Sequence, residues 1–402
     1  MRKKLAGISA SVLLVCICFM GMYLTCTFSN AEEIKGKLDN IKIVKLGDGI
    51  TAQASFDDTG VSLKKINLSK KCKRIVIPEK IEGKPVVRLA SSATDSESNL
   101  DDEMTNLFGK VFEPAEDGDL TVEERFPANN VFVKEIVLPD TVSYIGKRCF
   151  AGLINLKKVN IPLNTKSIEE ETFARCEKLK QITLPKKIEK IDKTAFVYCK
   201  SLEKIHVKKG NKNFIEKGDF ILRGDKKTAF MLSRRKKCVV VPEGVKYFDR
   251  GTFDELTAQK IVVSKKNKIL SSDNNCVYKK KGKVLVAAIS SNKKKFVISS
   301  KVKVLSDTIA WGGFARKVIL PSTIKKICGN WKWGLYSDNN NQLIVFKRNN
   351  PPKVSGANPK NALLSQVYLR FNKGAEGKYK KLYKKYHIKL IWSKSKKAYY
   401  CI

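Results

Sequence analysis

Apolar residues recur with a period of 23 residues through the middle of the chain. When the sequence is aligned on Pro139, Pro162 and Pro185, aliphatic residues stand six, three and one positions before each proline and six positions after it. A phenylalanine stands eleven positions after each proline. A fixed period in this range is typical of stacked units that each bury their apolar face only against a neighbour. The pattern therefore predicts a solenoid.

Each repeat contains two short strand patterns. The Ile-x-Leu-Pro stretch directs two side chains inward by its period of two, and the proline ends it. A second short strand follows, as in residues 188–191. Stacking in register would give parallel strand ladders, so the expected fold class is a β-rich solenoid. The expected core residues are Ile136, Leu138, Ile145, Phe150, Leu156, Val159, Ile161, Ile168, Phe173, Cys176, Leu179, Ile182, Leu184, Ile191, Phe196, Cys199, Leu202 and Ile205.

Three segments interrupt the period. Residues 214–227 and 276–286 lengthen two repeats, and each contains two apolar runs around a polar turn with glycine, which predicts an inserted β-hairpin. Residues 91–130 contain eleven acidic residues. They predict a solvated loop rather than a calcium site, because Asp117 and Asp119 alone do not supply ligands at ordered spacing.

The first residues indicate export. A basic start is followed by an uncharged run from Leu5 to Phe28 and by small residues before Glu32, as in a secretory signal cut after Ala31. An uncleaved membrane anchor is the alternative, because the run is long enough to span a bilayer. The expected organisation is a signal or anchor at 1–31, capping strands at 32–74, the solenoid at 75–346 with the acidic insert 91–130, and a C-terminal cap at 347–402.

Residues 77–87, the repeat pattern and the closing segment around 350–352, 367–369 and Trp392 together resemble the BspA-like branch of leucine-rich repeat proteins, which is common on bacterial surfaces. The resemblance covers about residues 40–395 and implies 22–23-residue leucine-rich repeat rungs. It also implies an adhesion or ligand-binding module rather than an enzyme. The chain departs from the pattern at four positions. The repeat proline is replaced by Lys208, Ser264 and Ser299, and the phenylalanine is replaced by Ala310.

Composition limits the kinds of functional site that the chain is expected to contain. The chain has 402 residues, with 79 Lys and Arg against 39 Asp and Glu, so its formal net charge is +40. Residues 200–402 hold 48 basic and 12 acidic residues, a balance of +36. The chain has two histidines and no CxxC motif, so no metal site, cofactor or catalytic residue is expected, and His206 has no carboxylate or cysteine at metal-ligand spacing. Cys176 and Cys199 share an inward column and are interpreted as small buried hydrophobes, with a disulfide between them left open.

Cations four and five positions before the proline recur in nearly every repeat and predict a basic line along one edge of the sheet. We call this set the lysine ladder; its residues are Lys134, Lys157, Lys158, Lys180, Lys204, Lys237, Lys260, Lys294, Lys295, Arg316 and Lys317. A repeating polyanion is the expected partner, with teichoic acid, a sulfated glycan and nonspecifically bound nucleic acid as candidates. The alternative is that these lysines only keep the surface soluble and block edge pairing.

A second hypothesis uses the outward positions two before the proline, which become apolar toward the C-terminal half, as at Val240, Val262 and Val297. These positions and the hairpins would bind host matrix or another cell as a protein adhesin. Either hypothesis expects a macromolecular ligand and no small-molecule substrate. Membrane contact is expected only through the N-terminal segment, and the location is expected to be extracellular or at the cell surface.

Overall fold

A computed structural model of the chain describes residues 41–90, 105–110, 130–232, 237–249, 251–253, 258–290, 294–313, 315–329, 342–355 and 367–401. Residues 1–43 and 44–402 form two separate compact units, and only the last three residues of the first are described. The predicted signal at 1–31 and most of the acidic insert 91–130 lie outside the described residues. None of the described helices is long and apolar enough to cross a membrane.

The N-terminal part of the second unit contains antiparallel strands that continue into the first repeats. Strands β2 and β3 pair antiparallel, β3 pairs in parallel with β6, and β6 pairs in parallel with β10 of the first repeat. This arrangement covers the edge on which the repeat stack begins. The strands up to this point are β1 (Ile41–Gly47), β2 (Ile50–Phe56), β3 (Val61–Leu68), β4 (Arg74–Val76), β5 (Lys80–Ile81), β6 (Lys84–Leu89), β7 (Thr105–Asn106), β8 (Gly109–Lys110), β9 (Glu135–Val137) and β10 (Tyr144–Ile145), with a 3-10 helix at Asn130–Phe132.

The regular repeats form two sets of parallel strands. The stretch before each proline forms the first set, in which β4, β9 and β11 pair in parallel, as do β13 and β15. The second set contains the β12–β14 pair. The prediction of a β-solenoid with parallel strand ladders is confirmed. The strands of these repeats are β11 (Lys158–Val159), β12 (Ser167–Ile168), β13 (Gln181–Leu184), β14 (Lys190–Ile191) and β15 (Lys204–Val207).

The interior of these repeats is built from the predicted columns. All of the expected core residues are buried. The phenylalanine column forms a stack, with ring centroids 5.3 Å apart for Phe150 and Phe173 and 5.5 Å apart for Phe173 and Phe196. The thiol of Cys176 donates to the carbonyl oxygen of Phe150 at 3.2 Å, and that of Cys199 donates to Phe173 at 3.0 Å. The cysteine column therefore bonds each return turn to the preceding repeat rather than forming a disulfide.

The two predicted hairpins are confirmed, and each insert has three antiparallel strands. The first predicted hairpin is β16–β17, which leads into β18. The second predicted hairpin, over 276–286, is β23–β24, and the sequence analysis did not include β22 before it. The pair β22–β23 is the hairpin of the second insert that corresponds to β16–β17. The last strands of the inserts, β18 and β24, pair in parallel with β20 and β26 of the second strand set. Ala310 lies within β26 opposite Ala287, so a strand replaces the return turn that needed phenylalanine. The strands are β16 (Phe214–Lys217), β17 (Phe220–Arg223), β18 (Thr228–Leu232), β19 (Cys238–Val241), β20 (Tyr247–Phe248), β21 (Lys260–Val263), β22 (Leu270–Asp273), β23 (Cys276–Lys279), β24 (Val284–Ile289), β25 (Lys295–Val297) and β26 (Val304–Gly312).

The C-terminal segment closes the last repeats with one helix and an antiparallel end. Strands β27, β29 and β31 continue the first set, and β33 then pairs antiparallel with β31. Helix α1 buries Tyr379 and Tyr383, and the Tyr379 ring stacks on Phe371 with centroids 4.5 Å apart. The elements are β27 (Lys317–Leu320), β28 (Lys326–Cys328), β29 (Leu343–Phe346), β30 (Lys353–Ser355), β31 (Tyr368–Arg370), α1 (Glu376–Lys385), β32 (Leu390–Ser393) and β33 (Ala398–Cys401).

Candidate basic groove

The lysine ladder lies on the surface of the first strand set. Its side chains are exposed except at Lys204 and Lys317, which are half-buried. Register aligns the same repeat position from strand to strand, so that Lys158 lies opposite Glu135 and Lys295 lies opposite Lys317. Because neighbouring strands lie about 4.8 Å apart, ladder cations on adjacent strands are well within one Debye length of each other.

The structure divides the ladder into three groups. Strand β15 pairs only with β13 in the first set, β21 pairs only with β19, and β25 begins a new sheet. Strands β11 and β13 also belong to different sheets, but no insert lies between them. The two inserts account for both interruptions, because side chains of each hairpin bond to the backbone of the strand that precedes it. The groups run from Lys134 to Lys204, from Lys237 to Lys260, and from Lys294 to Lys317. The structure therefore does not bring the eleven cations into one continuous line.

The first group contains a concave surface, which we call the basic groove. It is a depression of about 620 Å³ across β11, β13 and β15 and the turns that follow them. Five lysines line it, and Glu203 is its only acidic lining residue. The five are Lys157, Lys158, Lys180, Lys204 and Lys208.

Apolar and polar uncharged side chains complete the groove. Leu163, at 55% exposure, lies on one side, and Asn160 and Thr183 project from the strands. Asn160 also bonds to both backbone groups of Leu138, with distances of 2.8 Å and 2.7 Å, so it extends the pairing between β9 and β11. Sequence reasoning did not include Lys208, because this residue replaces the repeat proline rather than occupying a ladder column.

Glu216 of the first insert lies at the C-terminal end of the groove. Its carboxylate accepts hydrogen bonds from Lys204 Nζ at 2.9 Å and from the backbone N–H of Val207 at 3.3 Å, and its other contact is His206 Nδ1 at 3.3 Å. Burial by itself would raise the pKa of Glu216, but the bonds from Lys204 and Val207 outweigh it and hold this pKa below its usual value. His206 therefore has a carboxylate neighbour, which its sequence surroundings did not indicate.

The described residues give little support for a metal site or a nucleophilic cysteine. They contain no group of three or more His, Cys, Asp or Glu side chains placed to hold a metal ion. Burial raises the pKa of the Cys276 thiol to about 12 and raises that of Cys176 as well. Neither sulfur is a thiolate at neutral pH, so neither is suited to nucleophilic attack.

The apolar outward positions are also on the surface. Val240 is 49% exposed and Val297 is 36% exposed, whereas Val262 and Ile319 are half-buried. The inserts separate β21 from β25, so Val262 and Val297 do not belong to one sheet. The result is a set of separate small apolar areas.

Comparison with known proteins agrees with the repeat geometry. Residues 123–221 match the family model for the BspA type leucine rich repeat region, in six copies. The chain carries BspA-type leucine-rich repeats. The basic groove lies on these repeats, because β11, β13 and β15 all fall within the matched residues.

The chain also matches several solved structures at low sequence identity. The pneumococcal vaccine antigen PcpA is 12% identical, with 83% of this chain and 89% of that chain covered and a TM-score of 0.38. A leucine rich cell surface protein from Faecalibacterium prausnitzii is 13% identical over 84% of this chain and 97% of that chain, also with a TM-score of 0.38. A leucine-rich repeat protein of T. pallidum is 16% identical over 67% and 83% of the two chains, with a TM-score of 0.28. No curated protein matches the sequence.

Proposed function

We propose that this protein is an exported or surface-attached binding module whose basic groove binds a repeating anionic polymer. The observation that carries the proposal is the convergence of five lysines on one depression that has a single acidic lining residue, Glu203. Two of the five are also ion-paired outside the lining, Lys158 with Glu135 and Lys204 with Glu216, so the lysines remain in excess. The five are Lys157, Lys158, Lys180, Lys204 and Lys208. Like charges held this close repel one another, and a row of phosphate or sulfate groups along the strands would relieve that repulsion. The ligand class is a polymer such as teichoic acid or a sulfated glycan.

The structure limits the ligand segment that can bind. The strands before the first insert present the basic groove, and Glu216 places a negative charge at its C-terminal end. A polymer segment would therefore contact the repeats from β11 to β15 and would not continue along β19. We expect short anionic oligomers to occupy the groove fully, with little further gain in affinity per chain from longer ones.

Charge reversal in the groove tests this proposal. The triple variant Lys157→Glu, Lys180→Glu, Lys208→Glu is expected to lose most of its binding to polyglycerol phosphate teichoic acid, measured by isothermal titration over a salt series. Each polymer contact adds roughly 0.7 to the slope of log affinity against log salt for a single-stranded polyanion, so losing three contacts lowers the slope by about 2. The ion pairs of the groove among the described residues involve Lys158 and Lys204, so this variant removes no ion pair.

A matched control separates groove binding from total charge. The variant Lys166→Glu, Lys178→Glu, Lys193→Glu changes the same net charge in the same repeats, at exposed positions that do not line the groove. It is expected to keep nearly the full affinity and salt slope. Equal losses in the two variants would show that charge alone drives binding and would refute the groove as a site.

A protein ligand is the second candidate, and the exposure of Val240 and Val297 supports it. Binding through such apolar areas would depend little on salt, because it does not release counterions. Val240→Asp would then abolish binding to the protein partner, and the groove variant would leave it intact.

A further inference from the structure

The two inserts repeat the same construction 56 residues apart in the sequence. Asn211 and Asn267 occupy the same position and make the same contacts. Each amide donates to two carbonyl oxygens of the preceding repeat, and each Oδ1 accepts two backbone N–H groups that lead into the hairpin. By the same offset, Lys204 corresponds to Lys260 and Glu216 corresponds to Ser272. The two hairpins can therefore be compared position by position.

The corresponding hairpin position differs in side-chain length. In the first insert, Glu216 bonds to the N–H of Val207 and also reaches Lys204. In the second insert, the Ser272 Oγ accepts the equivalent N–H of Val263 at 2.8 Å, but a serine is too short to reach the lysine. Among the described residues, Lys260 has no ion pair. The second insert thus keeps the backbone contact of the first and lacks its carboxylate.

An open depression of about 650 Å³, which we call the second-insert cavity, lies beside Lys260 between β21 and the β22–β23 hairpin. The turn that forms its rim has Asn274 and Asn275 at φ of +49° and +57°, as a two-residue type I′ hairpin requires. Asn275 holds this rim over β21, because its amide donates to the Gln259 carbonyl oxygen at 2.8 Å and its Oδ1 accepts the N–H of Ile261 at 3.3 Å. The cavity is therefore part of the hairpin's docking on the strand.

Some polar groups around the cavity have hydrogen-bond partners within the fold, and others do not. Asp273 is directed to the next repeat, where its carboxylate accepts a hydrogen bond from Ser299 Oγ and lies 3.9 Å from Lys301 Nζ. Lys260, Gln259 and Ser272 line the cavity, and their side-chain donors have no acceptor among the described residues. A cation with two neutral donors matches a carboxylate that is accompanied by hydroxyl groups.

We infer that the second-insert cavity binds the carboxylate of an acidic sugar, in the place that the Glu216 carboxylate fills in the first insert. The Lys260 ammonium would bind the ligand carboxylate as Lys204 binds Glu216, and Gln259 and Ser272 would bind ring hydroxyls. The cavity volume of about 650 Å³ lies within the roughly 300–1,000 Å³ of small-ligand sites. The site shares no residue with the basic groove, so it does not depend on the proposed function.

Exchanging the two side chains tests the inference. Glucuronate binding to the full chain is measured by saturation-transfer NMR and by titration of backbone amide signals. Ser272→Glu is expected to fill the cavity from within and weaken glucuronate binding by about tenfold or more, the effect of losing a charged hydrogen bond. In the first insert, Lys204 and Glu216 line a depression of about 470 Å³. Glu216→Ser is expected to release Lys204 there, so that the chain binds a second glucuronate. Lys260→Gln is expected to weaken binding to the same extent as Ser272→Glu.

Two comparison ligands and a control variant test whether the site recognises a sugar carboxylate. Glucose, which lacks the carboxylate, is expected to bind at least about tenfold more weakly than glucuronate. Equal binding of glucose would overturn the carboxylate site, and equal binding of glutamate would overturn its assignment to a sugar. The variant Lys157→Glu, Lys180→Glu, Lys208→Glu is expected to bind glucuronate normally. If Ser272→Glu folds with an unchanged circular dichroism spectrum and still binds glucuronate as the unmodified chain does, the inference is wrong.

Discussion

At the scale of single residues, two tyrosines of α1 differ in whether the buried hydroxyl has a hydrogen-bond partner, which affects the stability of the fold. Both rings are almost completely buried, and burial raises the pKa of each phenol well above its usual value. The Tyr379 hydroxyl donates to the carbonyl oxygen of Arg348 at 3.1 Å. The Tyr383 hydroxyl has no hydrogen-bond partner among the described residues. A buried polar group without a partner costs stability, whereas a satisfied one contributes a little.

Replacing each tyrosine with phenylalanine is therefore expected to have opposite effects. Tyr383→Phe should raise the free energy of unfolding by about 1 kcal/mol, because it removes a buried hydroxyl that lost its water on folding. Tyr379→Phe should lower it by about 1 kcal/mol, because the Arg348 carbonyl oxygen loses its donor. Urea denaturation of the two variants measures both values, and each variant is the control for the other. A loss of stability in both would contradict the assignment of the hydroxyl contacts.

At the scale of elements, the inserts depend on one asparagine each. Asn267 is 2% exposed, and its side chain satisfies the carbonyl oxygens of Pro242 and Val245 and the N–H groups of Ile269 and Leu270. Three of these groups lie in turns outside the strands, and the fourth belongs to Leu270, the first residue of β22. The amide therefore supplies hydrogen bonds that no strand pair supplies to the turns. The hairpin is thus held over β21 by side chains, with Asn267 at its base and Ser272 and Asn275 along it, rather than by sheet pairing.

Removing this amide should loosen the second insert. Asn267→Ala is expected to lower the free energy of unfolding by about 3 kcal/mol, because it leaves several buried backbone groups without partners. Asn267→Asp keeps the acceptor for the two N–H groups but loses the two bonds that the amide donates. It therefore shows whether the donated or the accepted bonds contribute more to stability. Asn164→Ala removes an exposed asparagine and serves as the control, with an expected change of less than about 0.5 kcal/mol. Guanidinium denaturation compares the three variants, and equal effects at Asn164 and Asn267 would contradict this role.

At the scale of the whole molecule, the net charge of +40 opposes the compact state. The described ion pairs lie mostly at the surface, where each contributes little. Repulsion among the remaining lysines is spread over the repeats and is screened by salt. Salt should thus stabilise the fold while it weakens the binding of a polyanion.

Thermal unfolding followed by circular dichroism tests this expectation. The Tm is expected to rise between low salt and 0.5 M sodium chloride, because the screening length falls from about 30 Å at 0.01 M to a few ångströms. The variant Lys166→Glu, Lys178→Glu, Lys193→Glu, with a net charge of +40 − 6 = +34, should show a smaller rise. A Tm that falls with added salt would mean that ion pairs, rather than repulsion, dominate the electrostatics of the folded chain.

The repeat period was sufficient to predict the two strand sets, the buried columns and both hairpins. These features follow from local patterns, because each column recurs at a fixed offset and each side chain faces the same column of the next repeat. The lysines of β11, β13 and β15 were also identified in this way. The pattern did not reveal the carboxylate beside His206, because it comes from an insert, or the place of Lys208 in the groove, because this residue stands at the proline position.

The sequence by itself therefore determined the solenoid, its core and the surface on which the cations lie. Only the tertiary structure showed that the inserts divide the lysine ladder, that Glu216 reaches Lys204, and that Ser272 leaves Lys260 beside a cavity. The physical reason is that a hairpin docks on a strand through contacts between side chains about ten residues apart. Whether such a contact forms depends on the length of the side chain and on its distance from the partner in the folded chain. An alignment of repeat positions contains neither quantity.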